Sequence, residues 1–209
     1  MQGSELDLLM AAPRTLQERT VAIISEVSFV EIYENQPRFS DLEQFLRKAG
    51  FSFYGFMETQ GWSQKYIDKC KIIGRERLCF GDAVFFKDPK DTVTNLSGIR
   101  QYAMLYLCAL LLGYYDFAVE LAVDGDFSVE ETARLIRLAQ RVGEKTGEAT
   151  IQEIQELLSR MNADPTQANL QLCSFINKYR HFADVADAAL PRRIPVPHAR
   201  ASSLSNNNV

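Results

Sequence analysis

The chain has 209 residues, of which 46% are hydrophobic and 24% charged, and a formal net charge of −4. That balance is too apolar for a disordered chain and too charged for a membrane protein, and the length suits one large domain or a small one with an appendage. An acidic chain without a dense basic patch gives no electrostatic reason to expect nucleic acid as a partner.

The N-terminus opens with Gln2, Ser4, Glu5 and Asp7 rather than a basic and then apolar stretch, so no signal peptide is expected. The longest uncharged run, residues 102–115, falls short of the roughly 20 residues a membrane-spanning helix needs and reads as a buried helix. Both features point to a cytoplasmic protein with no membrane span. Cys70, Cys79, Cys108 and Cys173 are widely spaced without a CxxC pair, which argues for structural roles and against a disulfide or metal framework.

In chain order, residues 4–12 place Leu6, Leu9 and Met10 at helical spacing, and Pro13 stops that helix. Residues 21–29, VAIISEVSF, are β-branched and apolar almost without alternation, as in a parallel strand covered by helices on both faces. Ser40 or Asp41 caps a helix whose stripe is Leu42, Phe45, Leu46 and Ala49, and Gly50 ends it. Residues 51–57 form a second strand, 60–77 a looser stretch, and 78–87 a third strand terminated by Asp88-Pro89.

Helical patterns follow over 99–112, 115–123, 129–142, 151–161 and 165–189. Ser128 with Glu131 makes a capping box, and Asp164-Pro165 a cap with proline at the first helical position. From Pro191 the chain reads as a disordered tail. The expected division is residues 1–90, a helical extension over 91–190, and a tail over 191–209.

Most site signatures are missing. No two glycines lie two residues apart, which removes the dinucleotide fingerprint, and Phe56 stands where the Gly50–Gly55 spacing would need a phosphate-loop lysine. His181 in a helical pattern and His198 in the tail have no catalytic partner in the sequence. Glu26 interrupts an apolar strand and must reach a partner, a cleft or solvent. Glu5 suits the first turn of a helix, where the dipole stabilises acidic residues. The aromatic residues Phe51, Phe53, Phe80 and Phe85 read as core.

Four segments in order, QGSELDLLMAA, IISEVSF, VEIYENQPRFSDLEQFLRKAGFSFYGF and GDAVFFKDP, carry a constellation. Together, over residues 2–89, they resemble the FkbM family of S-adenosylmethionine-dependent methyltransferases. In that family an "(E/Q)GxE" turn and helix lead to a strand with glutamate near its end, then a helix to "GF/GY", then a strand carrying "GDALF". The resemblance implies an α/β fold, the C-terminal part of a Rossmann-like class I methyltransferase sheet of about three mixed strands, followed by an all-helical extension. The strand 21–29 would have the closing strand 78–87 as its antiparallel neighbour.

The resemblance further implies S-adenosylmethionine as cofactor and methyl transfer to a hydroxyl of a small molecule or glycan; from the cysteine spacing, no metal is expected. Glu5 and Glu26 match the family's acidic positions and would face the reaction cleft as catalytic residues. Gln2 falls on the cofactor side, and Tyr33, Gln36 and Trp62 on loops lining an acceptor pocket. The family's glycine-rich turn and its acidic ribose partner have no counterpart here, so this chain by itself is expected neither to bind the cofactor nor to act. One sheet edge would be left open to self-association or to an upstream half. Two other readings stand beside a methyltransferase fragment: a non-catalytic helical binding or assembly module, and one half of a split enzyme. The residues 107–122, LCALLLGYYDFAVELA, read as two helices joined near Gly113, an accessory layer without nameable chemistry.

Overall fold

The computed structural model describes residues 3–64, 66, 74–91, 96 and 98–179. Gln2, Cys70, His181, His198 and the expected tail lie outside them. The chain divides into two compact units, Met1–Ser97 with Glu144–Asp184, and Gly98–Gly143 with Val185–Val209.

The first unit is built on three strands, β1 (Ala22–Ser28), β2 (Ser52–Trp62) and β3 (Arg77–Phe86), in the order β1-β3-β2. Both pairings are antiparallel, so the mixed sheet and the parallel setting read from residues 21–29 do not hold. The neighbour expected for β1 is nonetheless the one it has, β3, and the last strand of the sequence is the central one. Burial of β1 on both faces also fails, because Ile24 is 50% exposed. Among the described residues β1 is an edge strand, and a largely apolar run does not by itself distinguish an edge from an interior position.

The register assigns the backbone of β1. Phe29 N donates to Cys79 O at 2.8 Å and Lys87 N to Val21 O at 2.9 Å. Odd-numbered residues therefore exchange hydrogen bonds with β3, and Ala22, Ile24, Glu26 and Ser28 direct their N–H and C=O groups away from it.

β2 runs to Trp62, past its expected end at Met57, because β3 from Asp82 back to Arg77 supplies pairing partners for the extra residues. Three register shifts, at Phe53/Gly55, Phe56/Glu58 and Gln60/Gly61, bend it along β3. At Gly81 a Cβ would come within 2.6 Å of Glu58 O, so only glycine admits the β2 backbone there.

α1 (Glu5–Met10) ends before Pro13 as expected, but Pro13 then opens a further helix, α2 (Pro13–Glu18), that the sequence reading misses. Proline fits there because a first-turn N–H has no helical acceptor to lose. Lys87, 3% exposed, closes the other end of α2: its Nζ donates to Leu16 O at 2.7 Å and Gln17 O at 2.6 Å. α3 (Phe39–Lys48) starts slightly before its expected cap, with the Asp41 carboxylate accepting from Arg38 N at 2.8 Å.

The end of α3 follows its sequence signal. Gly50 takes φ +85°, Gly50 N donates to Arg47 O at 3.1 Å, and Phe51 N donates to Leu46 O at 2.9 Å. This turn drops Phe51 onto Leu46, inside a core that includes Leu16, Val27, Leu42, Ala83 and Phe85. Phe29, Phe39, Phe53 and Phe56 adjoin it, with neighbouring ring centroids 4.9 to 5.6 Å apart. Phe51 and Phe85 are core as expected, whereas Phe53 is 37% exposed.

The second unit opens with a hairpin, α4 (Ile99–Leu111) and α5 (Tyr115–Asp124), joined through Gly113 at φ +84°. The Tyr106 hydroxyl donates to Leu135 O at 2.7 Å. α6 (Val129–Ala163) is a single helix of 35 residues and contributes to both units. Two helices were expected there, 129–142 and 151–161; the structure joins them through Gly143 and Gly147 into one. Its first turn carries the expected capping box, with Ser128 N donating to Glu131 Oε2 at 2.9 Å and Glu131 N to Ser128 Oγ at 3.3 Å. Asp164 caps a 3-10 turn (Pro165–Gln167), and α7 (Ala168–Tyr179) follows as the described part of the helix expected over 165–189. Glu153 accepts from Lys178 Nζ at 2.6 Å and Tyr179 OH at 2.7 Å, tying α7 to α6 within the first unit. Among the described residues no helix is long and apolar enough to cross a membrane.

Candidate functional site

At the carboxyl end of β1 the first unit has a cleft of about 280 Å³, open mouth included, lined by Glu5, Leu6, Glu26, Val27, Ser28, Gln36, Pro37, Arg38 and Leu42. Three of the residues singled out in the sequence thus meet: Glu5 from α1, Glu26 from β1 and Gln36 from the connection to α3. The fold brings them together by three local devices. The strand delivers Glu26 and Ser28 on the same side, two residues apart. The turn at Gly3, with φ +86°, lets Gly3 N donate to Glu5 Oε1 at 3.2 Å and sets the first turn of α1.

The third device is the Gln36 side chain. Its Oε1 accepts from Ile32 N at 3.3 Å and Tyr33 N at 3.2 Å, and its Nε2 donates to Ser28 Oγ at 3.0 Å. A Cβ placed on Gly3 would stand 3.2 Å from Gln36 Cγ, so the glycine also makes room for this side chain. Asn35 takes φ +58°, a left-handed turn that asparagine tolerates, and Asn35 N donates to Glu31 Oε1 at 2.9 Å. Gln36 therefore joins the N-terminal turn, the strand end and its own loop at one point.

The charges are unequal in their surroundings. Glu5 has the Gly3 amide, and Arg38 has Glu31 at 3.6 Å on an exposed surface, a pair of small energetic weight. Glu26 is half-buried, and its carboxylate has no hydrogen-bond donor among the described residues. It stands level with Asp82 on β3, which faces Glu58 on β2.

The other expected residues fall elsewhere. Tyr33 contributes its backbone N–H to Gln36, but its side chain is 48% exposed and does not line the cleft. Trp62, 62% exposed, sits at the end of β2 opposite Arg77 and is likewise not part of it. Gln2 lies outside the described residues. Ser28 and Arg38, which line the cleft, went unread because a serine in a strand and an arginine before a helix carry no distinguishing pattern.

The cleft formed by the described residues does not fit S-adenosylmethionine. The enclosed part of the cleft has room for about one water-sized group, far less than a nucleoside needs. No strand among those described runs through a glycine-rich turn into a helix. The described residues also include no group of His, Cys, Asp and Glu arranged to hold a metal ion. Comparison with protein-family models, with characterised proteins and with solved structures finds no match to this chain.

Proposed function

We propose that the first unit supplies the acceptor side of an FkbM-like methyltransferase, acting in the cytoplasm on a hydroxyl of a small molecule or glycan. The observation that carries this reading is the convergence of Glu5, Glu26 and Gln36 in one cleft at the carboxyl end of β1. Support also comes from the closing strand, which pairs antiparallel with β1 as the resemblance implies, and from Gly81, whose lack of a side chain the β2 backbone requires.

In this reading Glu26 takes the proton of the acceptor hydroxyl and Glu5 holds a second donor of the same ligand. Carboxylates oriented within hydrogen-bond reach contribute about 10²- to 10⁴-fold as general bases. The cofactor grip is assigned to sequence outside these 209 residues, on the same or another chain, meeting this one along the outward edge of β1. A non-catalytic binding module is the second reading, and the narrowness of the cleft favours it.

The test is transfer of a labelled methyl group from S-adenosylmethionine by the chain completed with a cofactor-binding half. Glu5→Ala and Glu26→Gln are expected to lower the rate by about 100-fold while leaving circular dichroism unchanged. Transfer by both variants at the parent rate would make these residues structural or merely solvated. No transfer in any completed form would favour the binding module.

A further inference from the structure

We infer that Ser28, oriented by Gln36, is the hydrogen-bond donor of the cleft, and that the group received there is a neutral hydroxyl rather than a cation. The inference deepens the acceptor-site reading and rests on it for the location of the ligand.

The direction of each proton follows from the contacts. Ile32 N and Tyr33 N are donors only, so the Gln36 atom they share must be the amide oxygen. That fixes the amide and makes its other end Nε2, which donates to Ser28 Oγ at 3.0 Å. Ser28 Oγ is thereby an acceptor toward Gln36, and its own proton remains to be donated. Ser28 is 3% exposed, and none of the described residues accepts that proton. An unmatched buried hydroxyl donor is costly, which argues for an acceptor atom entering the cleft.

Glu5 and Glu26 line the same space and, as carboxylates, only accept. A group that meets both demands must accept from Ser28 and donate to a carboxylate. An alcohol hydroxyl does both, as does the water it would displace, whereas an ammonium donates but cannot accept. The enclosed space, the size of one water, matches a single hydroxyl and not a sugar ring.

The test uses the full chain, with ethylene glycol and ethylammonium chloride as probes and the Ser28 and Gln36 resonances as readout in NMR titrations. Glycol is expected to shift both residues and ethylammonium to bind less well. Ser28→Ala removes the donor. Gln36→Glu keeps an acceptor for Ile32 N and Tyr33 N but turns the Ser28 proton toward itself. Each variant is expected to weaken glycol binding about five- to tenfold, the worth of one hydrogen bond, with the melting curve of Gln36→Glu close to the parent's.

Glycol binding equal in parent and variants would overturn the inference, as would tighter ethylammonium binding that Ser28→Ala leaves unchanged, or no shift at saturating glycol. Because no cofactor takes part, a chain that binds glycol in this way but transfers no methyl group when completed would sink the methyltransferase reading alone.

Discussion

Glu26, Asp82 and Glu58 stand level across three strands, an arrangement in which like charges directly opposite one another cost about 0.2–1 kcal/mol per pair. Of the three, Glu26 is the one that lines the cleft. Lys87 is the contrasting case. Buried over the Phe51 ring, at 5.2 Å, and bonded to two carbonyls of α2, it serves the fold. Lys87→Met would strip those carbonyls of their donor, with an expected loss of about 1–3 kcal/mol in urea unfolding at neutral pH.

Burial also holds the Lys87 pKa below its ordinary 10.5. Between the lowered value and 10.5 the folded chain binds fewer protons than the unfolded one, so stability from this residue rises with pH across that window. The gap between parent and Lys87→Met should therefore widen in urea titrations as pH approaches 10.5 from below; a constant gap would show that burial does not disfavour the charge. Of these residues, Glu26 was legible in the sequence as a charge within an apolar strand. Lys87 and Ser28 were not: Lys87 serves α2, far away in sequence, and Ser28 depends on how the following loop folds Gln36 back onto it.

At the scale of elements, local chemistry was read well wherever it ended something. Gly50 closes α3, Ser128 with Glu131 opens α6, and Gly113 turns α4 into α5. It misled where tertiary pairing or helical cooperativity overrode a weak local preference. β2 outran its apolar pattern because β3 offered partners, and α6 ran through two glycines that weaken a helix without breaking it. Gly147 is exposed in α6, and a Cβ there would meet nothing within 4 Å. Gly147→Ala is expected to stabilise the chain by about 0.5–1 kcal/mol, seen as a higher melting temperature. Gly143→Ala should gain less, since its Cβ would come within 3.2 Å of the Tyr115 ring. A loss of stability in Gly147→Ala would mean that α6 is not continuous in solution.

For the whole molecule, the outward edge of β1 is the feature with the widest consequence. Ala22, Ile24, Glu26 and Ser28 turn their backbone groups away from β3, and no other described strand meets them. Such an edge templates pairing with another strand, and Glu26 is its single charge. The chain is expected to self-associate through it or to take up a completing strand. Light scattering over a concentration series should show a rising mass, and amide exchange at those four residues should slow on association. A monodisperse monomer with slow exchange there would mean that the edge is covered within the chain. The order β1-β3-β2 was only partly legible: the β1–β3 pairing followed from the resemblance, while the all-antiparallel sheet and the exposure of Ile24 depend on which neighbours β1 has. That an acceptor cleft and a cofactor grip reside on different stretches of sequence is tested most directly by calorimetric titration of S-adenosylmethionine into this chain, alone and joined by a cofactor-binding half. The expected result is no binding heat for the chain alone and saturable binding once it is completed. Micromolar binding by the chain alone, or none in either form, would contradict the account.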